Sequence, residues 1–265
     1  MVELEKVGIL GNKRIVEIAS LNPIYCFDKE SIFQVSEKFS KFGFRSFPVV
    51  DKNKKLVGIV TITDILDAFL KKEDFFQEIS KIMSREVVFV EDRESIRIVL
   101  QKMKISKRGR LPVVGESNKV VGIISETDFL KKSSDFSIFE KIKIEEVMTK
   151  KPFCVFSKNT ILETIRIMVN AKYRRLPVIE NGELVGYITS TRLFSKLFEN
   201  KFSENFVKKP ISEIMTKEPI FVEPSESLKN ALEKMKNSGI SSILIVNNKK
   251  IEGIFTERDY INLLE

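Results

Sequence analysis

Histidine and tryptophan are absent from this 265-residue chain, and cysteine occurs only twice. Without histidine, no Ser-His-Asp or Cys-His nucleophile and no imidazole metal site can be built. Cys26 and Cys154 lie too far apart in sequence for a CxxC redox pair or a thiolate zinc cage. They read as two reduced, mostly buried thiols of a cytosolic protein. No apolar run approaches the roughly 20 residues of a membrane helix. The opening Met1-Val2-Glu3-Leu4-Glu5 is acidic and lacks the charge pattern of a signal peptide. There is also no P-loop and no cluster of metal-ligand residues, so no catalytic or metal site is assigned.

What is present is the mixture of a soluble globular chain, 43% hydrophobic and 31% charged. The 45 Lys and Arg exceed the 37 Asp and Glu, giving a net charge of +8. Both signs are mixed along the chain, as on a solvated surface. A nucleic-acid interface would want a basic stripe interleaved with exposed aromatics. The phenylalanines here fall mostly at apolar-periodic positions and read as core, so nucleic acid is not the expected partner.

The chain repeats itself. Four segments end almost alike: Gly58-Ile59-Val60-Thr61-Ile62-Thr63-Asp64, Gly122-Ile123-Ile124-Ser125-Glu126-Thr127-Asp128, Gly186-Tyr187-Ile188-Thr189-Ser190-Thr191-Arg192 and Gly253-Ile254-Phe255-Thr256-Glu257-Arg258-Asp259. Their last positions are spaced by 64, 64 and 67 residues. A short apolar run precedes each: Phe47-Pro48-Val49-Val50, Leu111-Pro112-Val113-Val114, Leu176-Pro177-Val178-Ile179 and Ile243-Leu244-Ile245-Val246. The openings also match, as Ile79-Ser80-Lys81-Ile82-Met83-Ser84, Ile144-Glu145-Glu146-Val147-Met148-Thr149 and Ile211-Ser212-Glu213-Ile214-Met215-Thr216, with Val16-Glu17-Ile18-Ala19-Ser20 a degenerate first copy.

Each repeat reads as a small α/β element. A short strand such as Pro219-Ile220-Phe221-Val222 comes first. An amphipathic helix follows, with Ile161, Ile165 and Met168 or Leu228, Leu232 and Met235 on one face. Asp92 and Ser225 stand where N-caps of such helices are expected. Two β runs come next, joined at Asp51-Lys52-Asn53-Lys54 or Glu180-Asn181-Gly182. A second helix starts at the Thr or Ser of the closing motif. The predicted organisation is a leader (1–13) and repeats over 14–70, 79–132, 142–199 and 208–265. Polar linkers fall near 71–78, 132–141 and 199–209. A unit of about 60 residues buries too little apolar surface to stand alone, so pairing is expected.

These motifs together resemble the cystathionine beta-synthase (CBS) domain, in four copies covering nearly the whole chain. The resemblance implies an α/β (α+β) fold with a small sheet and helices per repeat, paired into two Bateman modules (about 14–132 and 142–265) that form a disc. The arrangement looks like the gamma subunit of AMP-activated protein kinase and its archaeal stand-alone relatives. It implies a non-catalytic, adenosine-ligand-binding regulator that acts in trans on a partner protein.

Read physically, Thr256-x-x-Asp259 is a capping box. A helix start also presents N–H groups to phosphate, and a carboxylate one turn on can accept both hydroxyls of a ribose. The resemblance gives this role to Asp64, Asp128 and Asp259, beside Thr61, Ser125 and Thr256. It supplies the opposite wall of each cleft from the residues before the Pro strand. Asp259 is thereby assigned Tyr173, Arg174 and Arg175; Asp128 is assigned Phe44, Arg45 and Ser46; Asp64 is assigned Arg108, Gly109 and Arg110. The adenine wall draws on Ile24 and Tyr25, Val87 and Val88, or Phe153 and Cys154. Repeat three departs from the pattern. Arg192 follows Thr189 where an acid is expected and cannot accept ribose hydroxyls, and its assigned wall, Ile240, Ser241 and Ser242, holds no base. Arg192 is expected either to reach a phosphate nearby or to pair with a surface acid.

The paired guanidiniums favour AMP, ADP or ATP, with or without Mg²⁺, because guanidinium binds phosphate bidentately. The alternative is S-adenosylmethionine or methylthioadenosine, which would use the aspartates but not the arginines. A cytoplasmic protein, either a single chain or a homodimer, is the remaining expectation.

Overall fold

In each of the four repeats the helix that leads into the paired strands starts on a hydroxyl cap, but not on the two residues anticipated. In the computed structural model, which describes residues 1–9 and 11–265, the caps are Ser31, Ser95, Thr160 and Ser227. Asp92 and Ser225 lie two or three residues upstream. The hydroxyl must sit where its oxygen faces the N–H three residues on, as Ser31 Oγ does for Gln34 N at 3.1 Å.

Repeat one consists of β1 (Ser20–Leu21), β2 (Cys26–Phe27), α1 (Ile32–Phe42), β3 (Ser46–Val50), β4 (Leu56–Thr61) and α2 (Ile62–Leu70). Repeat two has β5 (Val90–Glu91), α3 (Ile96–Ser106), β6 (Arg110–Val114), β7 (Val120–Ser125) and α4 (Glu126–Lys132). Repeat three has α5 (Ile144–Val147), β8 (Thr149–Lys150), β9 (Val155–Phe156), α6 (Ile161–Asn170), β10 (Arg175–Glu180), β11 (Glu183–Thr189) and α7 (Ser190–Glu199). Repeat four has β12 (Phe221–Val222), α8 (Leu228–Asn237), β13 (Ser242–Asn247), β14 (Lys250–Thr256) and α9 (Glu257–Leu263). The strands make four small sheets, ordered β1-β7-β6-β5, β11-β10-β9, β12-β13-β14-β8 and β2-β3-β4.

The chain divides into two units that cut across its halves. Unit one comprises Met1–Pro23, Val88–Pro152 and Ile220–Glu265; unit two comprises Ile24–Val87 and Phe153–Pro219. The bodies of repeats two and four thus share one core, and those of repeats one and three share the other. This division follows from an exchange of openings. In unit one, β1 pairs with β7 of repeat two, and β8 pairs with β14 of repeat four. In unit two, Ser84 bridges to Ile59 and Thr216 bridges to Tyr187.

The exchange explains three recurrent residues. A β-carbon added at Gly58, Gly186 or Gly253 would overlap the sulfur of Met83, Met215 or Met148, the methionine of the exchanged opening. Glycine lets the thioether lie directly on the strand. Pro48 faces Ile59, whose N–H and C=O both bond outward to Ser84, so β4 needs no donor from the proline. Pro177 opposite Tyr187 repeats the arrangement with Thr216.

The leader and the segments between repeats do more than link. Lys13 O accepts from Ile96 N of α3, Gln77 O from Ile32 N of α1, Ile142 O from Leu228 N of α8, and Lys209 O from Ile161 N of α6. They also bury Leu4, Val7, Phe136, Phe139 and Phe206. Some phenylalanines are not core. Phe27, Phe156 and Phe221 point outward because β2, β9 and β12 alternate, with Cys26, Val155 and Val222 taking the inward side. Among the described residues, no helix is long and apolar enough to cross a membrane.

Candidate functional site

The start of each second helix carries the closing motif, and three of the four starts are built alike. Thr61 N and Oγ1 both donate to Asp64 Oδ2, at 2.7 and 2.8 Å. Ser125 N and Oγ do the same to Asp128 Oδ2 at 2.7 and 2.6 Å, and Thr256 N and Oγ1 to Asp259 Oδ2 at 2.8 Å each. In each, Oδ2 is therefore committed to the cap. The three aspartates are half-buried. Burial pushes the Asp259 carboxyl above the usual aspartate range, against the lowering effect of the Thr256 hydrogen bonds. In repeat three the cap persists without its acid, with Arg192 N donating to Thr189 Oγ1 at 3.1 Å. The Arg192 side chain is exposed and donates from Nε to the carbonyl of Ile214 in the exchanged opening. This contact is neither of the two alternatives anticipated for it.

Each helix start is tied to the segment before its Pro strand. The N–H of Ile62 donates to Arg45 O, that of Glu126 to Gly109 O, that of Ser190 to Arg174 O and that of Glu257 to Ser241 O. In unit two this links an uncharged first residue (Ile62, Ser190) to an arginine. In unit one it links a glutamate (Glu126, Glu257) to glycine or serine. Ser46 and Ser242 are buried strand residues, and Arg108 is exposed.

Aromatic faces stand beside the arginines of unit two. Phe153 and Tyr173 stack with centroids 5.6 Å apart, at 24° between planes. They remain 51% and 41% exposed, so the pair is a surface platform and not core. Phe44 is exposed and stacks on Phe42 at 6.0 Å. Ile24, Tyr25 and Cys154 are half-buried, Val87 likewise, and Val88 is exposed.

Unit one instead concentrates charge. Glu126 and Glu257, the first residues of α4 and α9, are each 3% exposed, and they are the two charged residues in the buried set. Arg258 Nε pairs with Glu126 Oε1. Burial pulls the Arg110 guanidinium below its ordinary pKa, while Asp128, Glu257 and Glu126 around it push the other way. Gly109 makes room for this cluster. A β-carbon there would stand 2.5 Å from Glu126 Oε2 and 2.8 Å from its Cδ.

With this geometry in hand, comparison with known proteins is decisive for the family. The CBS domain family matches residues 15–71, 79–135, 144–199 and 211–265. The chain belongs to the CBS domain family. The protein MJ1225 of Methanocaldococcus jannaschii is 28% identical over 280 residues, 96% of either chain. Its crystal structure, described as that of a candidate archaeal homologue of g-AMPK, superposes with a TM-score of 0.83 over 95% of this chain and 99% of that one, at 24% identity. A protein of Pyrococcus horikoshii shares the fold at a TM-score of 0.64 and 21% identity, over 95% of this chain and 99% of the other.

Within these CBS units, the structure brings some predicted residues together. Phe153 stacks on Tyr173 in unit two, and Arg110 feels the charge of Asp128 in unit one, whereas its assigned carboxylate, Asp64, is a residue of unit two. Asp259 and Arg174–Arg175 belong to different units. Sequence reasoning missed Glu126, Glu257 and Arg258. Their signal was visible as Ser-Glu-Thr-Asp and Thr-Glu-Arg-Asp against Thr-Ile-Thr-Asp, since a charged first residue at a position otherwise apolar or small asks for a partner.

Proposed function

We propose that this CBS protein is a non-catalytic sensor that binds adenine nucleotides (AMP, ADP or ATP) and transmits their level to a partner protein. The observation that carries the reading is the repeated Thr/Ser–Asp construction. It fixes a carboxylate at each of three helix starts through its Oδ2. Such a carboxylate suits the two hydroxyls of a ribose, which are both donors. Arg45, Arg174 and Arg175 supply the bidentate chemistry that phosphates require. The exposed stack of Phe153 and Tyr173 offers an aromatic face of the kind an adenine ring covers. Repeat three lacks the acceptor, so its own helix start holds no ribose. The relationship to MJ1225, described as a candidate homologue of g-AMPK, supports the same reading.

Mass spectrometry of small molecules released from the purified, denatured protein tests it, followed by calorimetry with the species found. An adenine nucleotide is expected. Recovery of S-adenosylmethionine or methylthioadenosine would transfer the reading to those ligands, because they carry no phosphate for the arginines. At 100 times the dissociation constant, each filled site should add about 2.7 kcal/mol to stability.

A further inference from the structure

Helix α3 of repeat two departs from the other three repeats on its outer side. Counted from the caps Ser31, Ser95, Thr160 and Ser227, the third helical residue is Gln34, Ile98, Glu163 or Asn230, and the tenth is Lys41, Ile105, Asn170 or Asn237. All eight are exposed. Three repeats place polar side chains at both positions, as the solvent side of an amphipathic helix requires. Repeat two places isoleucines there, 45% and 84% exposed. The fold gains nothing from them. The face that α3 buries is made of Ile96, Val99, Leu100 and Met103. Ile98 also forgoes the hydrogen bond that Gln34 and Glu163 accept from the N–H of their caps. Charge is unusual on the same helix. No acidic residue stands between Glu94 and Glu116, whereas α3 and the turn after it carry Arg97, Lys102, Lys104, Lys107 and Arg108. Each of α1, α6 and α8 includes a glutamate (Glu37, Glu163 and Glu233). Arg97 and Lys102 are paired with Glu5 and Glu94, and half-buried Lys104 donates to the carbonyl of Leu264. Lys107 and Arg108 are exposed and pair with no carboxylate among the described residues. Lys107 keeps a left-handed φ of 54°, at the C-cap where α1 has Gly43.

We propose that the outer face of α3, from Ile98 through Gln101 to Ile105, docks an acidic amphipathic helix of the regulated partner. The proposal rests on the reading of a regulator that acts in trans, and deepens it by naming the chemistry of the partner. Two isoleucines seven residues apart lie two turns apart on one side of the helix, about 10 Å. A partner helix with apolar residues at the same spacing lays its stripe along them. Its carboxylates meet Lys107 and Arg108 just beyond Ile105, which fixes its direction as well as its sign. Two anchors make a small contact, of the transient class that suits a reversible regulator. Nucleic acid fits this face poorly, since residues 96–115 include no aromatic to stack on bases. An anionic bilayer fits it poorly as well. The apolar face of α3 is already buried, and two side chains remain where an interfacial helix inserts a whole face.

The test uses the full chain and a labelled, designed helical peptide with leucines seven apart and glutamates beside them. Its counterpart carries lysine for each glutamate. By fluorescence anisotropy, the acidic peptide should bind about tenfold tighter than the basic one or better, and added salt should weaken it. Ile98→Asn/Ile105→Asn gives α3 the residues that α8 carries at these positions, so the fold should tolerate it. It should lower the affinity for the acidic peptide by about tenfold or more, with circular dichroism and AMP calorimetry unchanged. Lys107→Glu should lower it comparably without touching an apolar anchor, and decides the matter if the double variant does not fold. Equal affinity for the two peptides, no affinity for the acidic one, or affinity that survives the variants would overturn the proposal. So would phosphatidylglycerol vesicles, or a second copy of the chain in ultracentrifugation, that bind the parent through Ile98 and Ile105 in place of the peptide. The nucleotide reading fails separately. Peptide binding by a protein that binds no adenine nucleotide removes that reading and keeps the docking face. Nucleotide binding without peptide binding removes the docking face alone.

Discussion

Arg258 of repeat four is paired through Nε with Glu126 of repeat two, and that carboxylate is almost wholly shut off from water. The pair ties α4 to α9 at their first turns. Removing one partner of a buried ion pair costs more than the pair contributes, because the other is left charged in a poorly hydrated site. Arg258→Ala should therefore destabilise the folded protein by about 3 kcal/mol, with Arg110 nearby limiting the loss. Denaturant titration measures it. A change within about 0.5 kcal/mol would mean that water reaches Glu126 freely.

Gly186 and Met215 offer a second test. Gly186→Ala drives a β-carbon into the Met215 thioether and should cost about 1–3 kcal/mol. In a double-mutant cycle, Met215→Ala should relieve part of that cost, because the collision is with this side chain. Additive effects would show that Gly186 is required for its backbone and not for the methionine.

The thiols respond to pH in a known direction. Burial pushes Cys26 up to about 12, and burial also raises Cys154. An unfolded thiol ionises near 8.5. The contribution of Cys26 to stability is thus whole below about pH 8.5 and is lost as pH rises toward the folded value, reaching about 2 kcal/mol by pH 10. Cys26→Ala should flatten that alkaline fall. In native protein, a thiol reagent should reach half-buried Cys154 first and Cys26 only on unfolding. Fast modification of Cys26 at neutral pH would contradict its burial.

How far these features were legible in the sequence depends on whether they are local. The repeat, the strand pair around Gly58 or Gly186, the apolar face of Ile161, Ile165 and Met168 and the capping role of Asp259 are all short-range, and all appear in the structure. The caps of α3 and α8 were misplaced because several polar residues precede each helix and only Ser95 and Ser227 have the right geometry. The exchange of openings could not be read. Nothing in Met215 itself says that it covers Gly186 of the preceding repeat. The Glu126–Arg258 pair spans 132 residues, so only the oddity of a glutamate at a position filled elsewhere by isoleucine hinted at it.

Asp259 should trade stability against binding. Its carboxyl is raised by burial, so the ionised form is disfavoured in the folded apo protein, and stability from this group falls as pH rises through its folded pKa. Asp259→Asn keeps an oxygen to accept from Thr256 while removing the charge. It should leave the apo melting temperature equal or higher, yet weaken adenosine and AMP alike by about tenfold or more through loss of a charged acceptor. For the parent, nucleotide affinity should decline on acidification at a pH above that of an ordinary aspartate. A variant that binds as well as the parent would remove the ribose role.

The central claim is that phosphate-bearing adenosine ligands are recognised through Arg174 and Arg175. Calorimetry of AMP and adenosine with the parent and with Arg174→Ala/Arg175→Ala tests it most directly. Charge-assisted contacts are worth about 1.5–3 kcal/mol each, so AMP affinity should fall by about 100-fold or more, while adenosine is much less affected and added salt weakens AMP alone. Equal losses for AMP and adenosine, or no loss for either, would contradict the account.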